Sequence, residues 1–201
     1  MNKTFTSADF NEVVRHSVGK ALQQMEINLS ALTEGGPPQF AIPIKVPVRQ
    51  WFESDAWDVD ELVRPENNPW LARTRITGLD FYPGGQSMAV CTWDGDVWHV
   101  DGLDRVGKQG GSLTWRRIAT GLFQPLGILV EEDRLMVTCR DQLVSLADLN
   151  SDGEMDDYRC FNSDHQVTEH FHEFAMGLQR DEDGNYYYAK SARHAKSAVE
   201  P

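Results

Sequence analysis

Residues 78–100, GLDFYPGGQSMAVCTWDGDVWHV, decide the fold. Apolar and β-branched residues over 74–81, 86–92 and 97–100 predict three short strands. Pro83-Gly84-Gly85 and Asp94-Gly95 separate them as turns, because glycine takes the left-handed backbone that tight hairpins need. The plan returns at Gly127 as GILVEEDRLMVTCRDQLVSLA and at Gly177 as GLQRDEDGNYYYAKS, so the starts lie 49 and 50 residues apart. Cys91 and Cys139 hold equivalent strand ends in the first two copies, which residues 113–118 and 158–160 complete with outer strands. A repeat of this length built from short antiparallel strands indicates propeller blades. The expectation is an all-β chain, an incomplete β-propeller of about two and a half blades, preceded by a helix and an extended linker.

Ahead of the repeats, Thr6-Ser7-Ala8-Asp9 offers a capping hydroxyl with a carboxylate three residues on. Phe10, Val13, Val14, Val18, Leu22, Met25 and Leu29 then recur at helical spacing and predict a helix over 7–32, in which Gly19 costs about 1 kcal/mol against alanine. Gly35-Gly36-Pro37-Pro38 ends it. The run AIPIKVPVRQWF (41–52) is apolar, but prolines 43 and 47 cannot donate to a ladder, so it reads as an extended or edge segment. Residues 55–64 are acidic, and Pro65-Glu66-Asn67-Asn68-Pro69 is a second breaker cluster. The chain thus divides into a helical segment (1–34), a proline-containing linker (35–69) and the partial propeller (70–201).

With 40% hydrophobic and 25% charged residues among 201, the chain has the composition of a globular protein and not of a disordered one. Its net charge of −12 argues against nucleic-acid partners, since a polyanion is repelled before contact. No stretch approaches the ~18 apolar residues of a membrane span, and MNKTFTSADFNEV lacks a signal peptide's apolar core. The three cysteines form neither CxxC nor CxxCH, so no zinc knuckle and no haem attachment is encoded. Cys91 and Cys139 are two buried thiols or a disulfide across neighbouring blades. Trp93, Trp98 and Trp115 pack between blades or stack on a ligand.

Asp148-Leu149-Asn150-Ser151-Asp152-Gly153-Glu154-Met155-Asp156 reproduces the D-x-N-x-D-G opening of a calcium loop. Asp148, Asn150 and Asp152 would supply side-chain oxygens, Glu154 a carbonyl, and Asp156 a direct or water-bridged ligand. An EF-hand is excluded, because Arg159 stands where a bidentate glutamate is required and no exiting helix follows. The alternative is an Asx-rich hairpin that binds nothing.

His165, His170, His172 and His194 form a second group. His170 and His172 on a strand would share one face, flanked by Glu169 and Glu173, just ahead of the third repeat, where a general base or ligand contact would stand at the propeller's binding face. Lys190, Arg193, His194 and Lys196 concentrate positive charge after the Tyr186-Tyr187-Tyr188 strand. They would receive an anionic cofactor or substrate carboxylate, or else form a solvated turn.

The runs TRITGLDFYPGGQSMAVCTWDGDVWHVDGL (74–103), DLNSDGEMDDY (148–158) and EHFHEFAMGLQRDEDGNYYYAKSARH (169–194) resemble the opening blades of quinoprotein glucose/sorbosone dehydrogenase-like β-propellers. More narrowly, they are similar to the propellers of large bacterial membrane-bound dehydrogenase proteins that carry a c-type haem domain. The resemblance covers about 68–201. It implies a six-bladed, periplasmic or secreted parent that oxidises a sugar or alcohol with pyrroloquinoline quinone (PQQ) and passes electrons to the haem domain of the same chain. It also implies His172 as catalytic base and Lys190 and Arg193 as cofactor-carboxylate contacts. Those enzymes lead into this strand with His-Gly-Gly, whereas here Glu173-Phe174-Ala175-Met176 separates His172 from Gly177. The other reading is a non-catalytic propeller serving as a binding or docking module.

As a fragment, the chain would be inactive by itself. It would leave two blade faces, carrying Trp93, Trp98, Phe174 and Tyr187, without a partner, and a free edge at 186–189, so it would self-associate.

Overall fold

The predicted turns fold their flanking strands into antiparallel pairs in the computed structural model, which describes residues 7–24, 29–30, 33–53, 56–108, 110–165, 167 and 172–191. The chain divides into two units, Met1–Glu34 and Gly35–Pro201.

In the first unit, helix α1 spans Ser7–Gln24. Leu29 and Ser30 form a turn, so the helix stops short of the predicted residue 32. The Ser30 carbonyl accepts both the Thr33 N–H (3.0 Å) and the Thr33 hydroxyl (2.8 Å). The apolar stripe of Phe10, Val13, Val14 and Val18 is 40–60% exposed. No helix among the described residues is long and apolar enough to cross a membrane.

In the second unit every strand pair among the described residues is antiparallel, and a short 3-10 turn at Leu103–Arg105 interrupts the strands. Its strands are β1 (Ile44–Pro47), β2 (Arg49–Glu53), β3 (Asp58–Glu61), β4 (Ile76–Phe81), β5 (Ser87–Thr92), β6 (Val97–Asp101) and β7 (Ser112–Ala119). Then follow β8 (Gly127–Val130), β9 (Leu135–Thr138), β10 (Leu143–Ala147), β11 (Asp157–Asn162), β12 (Ala175–Arg180) and β13 (Tyr186–Lys190). The first sheet has the order β1-β7-β6-β5-β4 and the second β11-β10-β9-β8, while β12 pairs with β13 and β2 with β3. Residues 35–69, expected as a linker, add β1 to the margin of the first sheet, with Ile44 opposite Trp115 and Pro47 opposite Ser112, and supply the β2–β3 hairpin. An outermost strand is where a chain containing prolines fits, since only one of its edges must donate.

Alternation along each strand sorts the core into layers. On β5, Met88 and Val90 face one way, with Trp98, Val100, Leu113 and Trp115, beneath a roof of Leu62, Val63, Trp70 and Ala72. This corrects one expectation. Trp98 has a partner, fully buried with the Trp70 ring centred 6.0 Å away, because residues 62–72, on both sides of the second breaker cluster, fold back over that face. Ala89 and Cys91 face the other way and pack with Ile128, Leu135, Val137 and Cys139 of the second sheet. Met136 and Leu143, on that sheet's far side, meet Leu178, Tyr186 and Tyr188 of the β12–β13 pair.

The sheets therefore stack in chain order, and the first strand of each touches the next, β4 beside β8 and β8 beside β12. Two glycines permit this approach. A Cβ on Gly78 would lie 3.2 Å from the Gly127 Cα, and one on Gly127 would lie 2.9 Å from the Leu178 nitrogen. Side-chain bonds reinforce the seam, since Thr77 Oγ1 donates to the Pro125 carbonyl (2.6 Å) and the Val130 N–H donates to Asp80 (2.8 Å).

Candidate functional site

In an antiparallel meander, successive connections fall at opposite ends of the strands. One rim of the stack therefore gathers the β5–β6 turn, the β7–β8 connection, the β9–β10 turn and the chain leading into β12. Trp93, from the first, stands edge-on to Phe174, from the last, with ring centres 5.0 Å apart. Arg140 is only 7% exposed, and its guanidinium lies over Phe174 (5.1 Å) and Phe123 (5.8 Å). Its Nη1 donates to Gln124 Oε1 at 3.0 Å. Gln124 holds a left-handed backbone (φ 48°), a conformation a non-glycine residue keeps only under constraint from its surroundings.

Two further pairs build up this rim. Arg75 donates to both oxygens of Asp94, at 2.8 and 2.5 Å, and these bonds hold the Asp94 carboxyl below the usual carboxylate range. His165 Nε2 lies 3.0 Å from the Arg140 carbonyl and its Nδ1 lies 2.7 Å from the Tyr188 hydroxyl. A carbonyl can only accept, so Nε2 carries the proton and, in the neutral ring, Nδ1 accepts from the tyrosine.

Of the residues singled out in the sequence, His172 occupies an exposed turn on this rim. Its carbonyl accepts the Ser191 hydroxyl, whose oxygen accepts the Phe174 N–H at 2.9 Å. Lys190 lies opposite Ala175 in the ladder, so His172 and Lys190 sit at the same end of the β12–β13 hairpin. Glu173, between His172 and Phe174, is buried, at 2% exposure. Glu169, His170, Arg193, His194 and Lys196 lie outside the described residues. Sequence reading missed Arg140, Phe123 and Gln124. The available signal was Arg140 itself, a charge directly after Cys139 where the first repeat has Thr92 after Cys91.

The predicted calcium loop lies on the opposite rim, between β10 and β11. Asp148 Oδ1 accepts the N–H groups of Ser151 (2.7 Å) and Asp152 (3.3 Å), and its Oδ2 accepts that of Gly153 (2.8 Å). Asn150 Oδ1 accepts the Asp152 N–H (3.0 Å), and Asp152 Oδ1 accepts the Glu154 N–H (2.9 Å). The loop also clasps the chain that precedes β1. Asn150 Nδ2 donates to the Gly36 carbonyl (2.7 Å), Asp156 accepts the N–H groups of Gly36 and Leu149 (both 3.0 Å), and Glu154 accepts that of Phe40 (2.8 Å). Phe40 in turn covers the Arg117 guanidinium at 4.5 Å, which is paired with Asp96. The donors are hard oxygens of the type calcium takes. Among the described residues no three His, Cys, Asp or Glu side chains gather as a metal set.

Cys91 and Cys139 are free thiols in the shared core, pushed up by burial to about 11 and about 12, while Cys160 is free and exposed. No protein-family model matches this chain, and no curated protein matches it.

Proposed function

We propose that residues 70–191 are consecutive blades of a β-propeller, and that the rim around Arg140 and His172 is the ligand-binding face of a quinoprotein-type sugar or alcohol dehydrogenase. The propeller reading is supported by the succession of β4, β8 and β12 as neighbouring first strands of sheets stacked in chain order. The observation that carries the site is that His172 and Lys190 stand at the same end of the β12–β13 hairpin, the end where Phe174 packs edge-on against Trp93. Cationic and aromatic groups together suit a flat polycarboxylate such as PQQ.

In this reading Lys190 and Arg193 hold the cofactor's carboxylates, and His172 takes the proton of the substrate hydroxyl. PQQ, when bound, supplies the hydride acceptor, and a c-type haem domain of the parent receives the electrons. Calcium held by Asp148, Asn150, Asp152 and the Glu154 carbonyl stiffens the outer part of the second blade, away from the chemistry.

Titration with PQQ followed by absorbance, then dye-linked assay with sugars and alcohols, tests the reading. Saturable binding that weakens in Lys190→Ala, with turnover in the full-length parent lost in His172→Ala, supports it. Absence of PQQ binding to chain and parent alike overturns it. The engagement of Arg140 with Gln124, Phe123 and Phe174 favours a second reading, a non-catalytic binding module, in which that guanidinium braces the rim. That module would bind its ligand with no dye-linked turnover in the parent.

A further inference from the structure

Residues 35–40, which lead into β1, lie as a strap along the β10–β11 loop. Gly36 N–H donates to Asp156 Oδ1 (3.0 Å), Asn150 Nδ2 donates to the Gly36 carbonyl (2.7 Å), and Phe40 N–H donates to Glu154 Oε2 (2.8 Å). The fit at Gly35 is steric as well. Its backbone is left-handed (φ 90°), and a Cβ there would lie 2.5–2.7 Å from the Asp156 carboxyl carbon and both carboxyl oxygens. Only glycine combines this conformation with so close an approach. The Gly35-Gly36 main chain is therefore seated directly against the Asp156 carboxylate.

Electrostatics gives the strap a rival. Residues 148–156 carry the carboxylates of Asp148, Asp152, Glu154 and Asp156, which repel one another at this spacing. Main-chain N–H groups offset part of that repulsion. Asp156 gives one oxygen to Gly36 and the other to Leu149, and Glu154 accepts Phe40. A divalent cation bound by the same loop offsets it in the other way, by charge. An ion bonded to Asp156 needs room beside that carboxylate, and the Gly35-Gly36 main chain fills it.

We propose that the strap and calcium exclude each other at Asp156, so that calcium binding unlatches residues 35–40. The proposal rests on the calcium reading of the loop. Unlatching withdraws Phe40 from the Arg117 guanidinium, 4.5 Å from its ring centre, and from the edge-on Trp70 ring at 5.5 Å, and so uncovers the Arg117–Asp96 pair. The coupling is reciprocal, so whatever loosens the strap tightens calcium.

The test is calorimetric titration of the chain with calcium chloride, unsubstituted and as Gly35→Val, together with hydrogen exchange at the Gly36 and Phe40 amides followed by NMR. Gly35→Val keeps every loop oxygen and denies the strap its seat. It is expected to bind calcium roughly tenfold more tightly, because a latched form no longer takes up part of the population. In the unsubstituted chain, saturating calcium is expected to quicken exchange at both amides roughly tenfold, since each loses its carboxylate acceptor. This second measurement depends on no variant. Calcium affinity in Gly35→Val that is equal or lower overturns the proposal and leaves the calcium site standing. So does undiminished protection of Gly36 and Phe40 with calcium bound. Absence of binding to both chains at millimolar calcium overturns the proposal together with the calcium reading.

Discussion

The Leu178 main-chain nitrogen occupies the space that a side chain on Gly127 would need, 2.9 Å from where its Cβ would stand. Thr138 Oγ1 would be closer still, at 2.7 Å. Gly127→Ala must therefore push β8 away from β12, and is expected to destabilise the fold by about 1–3 kcal/mol. Gly78→Ala is expected to cost less, because its nearest backbone neighbour would be 3.2 Å away. Urea unfolding of the two variants reads both values, and unchanged midpoints would mean the strands do not run this close.

Burial lowers the affinity of His99 for a proton, Asp101 raises it, and Arg116 lowers it further, with the net shift downward. The folded pKa thus lies below the unfolded one, so the unfolded chain binds more protons in between. Stability from this group is complete above about pH 6.5 and is lost as pH falls through the folded value. His99→Gln is expected to flatten the pH dependence of Tm below about 6.5. A slope that survives the substitution assigns it to other groups.

Cys160 is expected to react with a disulfide reagent at once, and Cys91 and Cys139 only as the protein unfolds. The thiolate is the attacking species, and burial holds both of those thiols far above neutral pH. Counting fast-reacting thiols with and without denaturant checks this. More than one fast thiol in the native chain would contradict the burial of the shared core.

If the β10–β11 loop takes calcium, millimolar calcium raises Tm, and Asp152→Ala abolishes the rise. Asp148→Ala is expected to lower Tm with or without the ion, because Asp148 accepts three main-chain N–H groups of its own loop. A Tm indifferent to calcium in the unsubstituted chain rejects the metal and leaves the clasp.

The repeat made the strands from Ile76 onward legible, because glycine-marked turns and alternating apolar residues are local signals. Gly78 and Gly127 also stood out as repeat starts, although nothing local says that they touch. The β2–β3 hairpin was missed, since a strand reading Asp-Val-Asp-Glu lacks the β-branched and aromatic residues that flag strands. The roof over Trp98 was missed for a different reason. Leu62, Val63 and Trp70 have no period and gain meaning only from the face they cover. At the rim, His172 was picked out by residue type, while Arg140 depends on Phe123 and Phe174, brought together from distant parts of the chain.

The roof has a consequence for symmetry. Leu62, Val63, Trp70 and Ala72 seal much of the outer face of the first sheet, while Met176 and Tyr187, on the outward side of the β12–β13 pair, are 42% and 56% exposed. Among the described residues, one outer face of the stack is thus covered by its own chain and the other is not. Two copies that met through the uncovered face would pair like with like about a twofold axis.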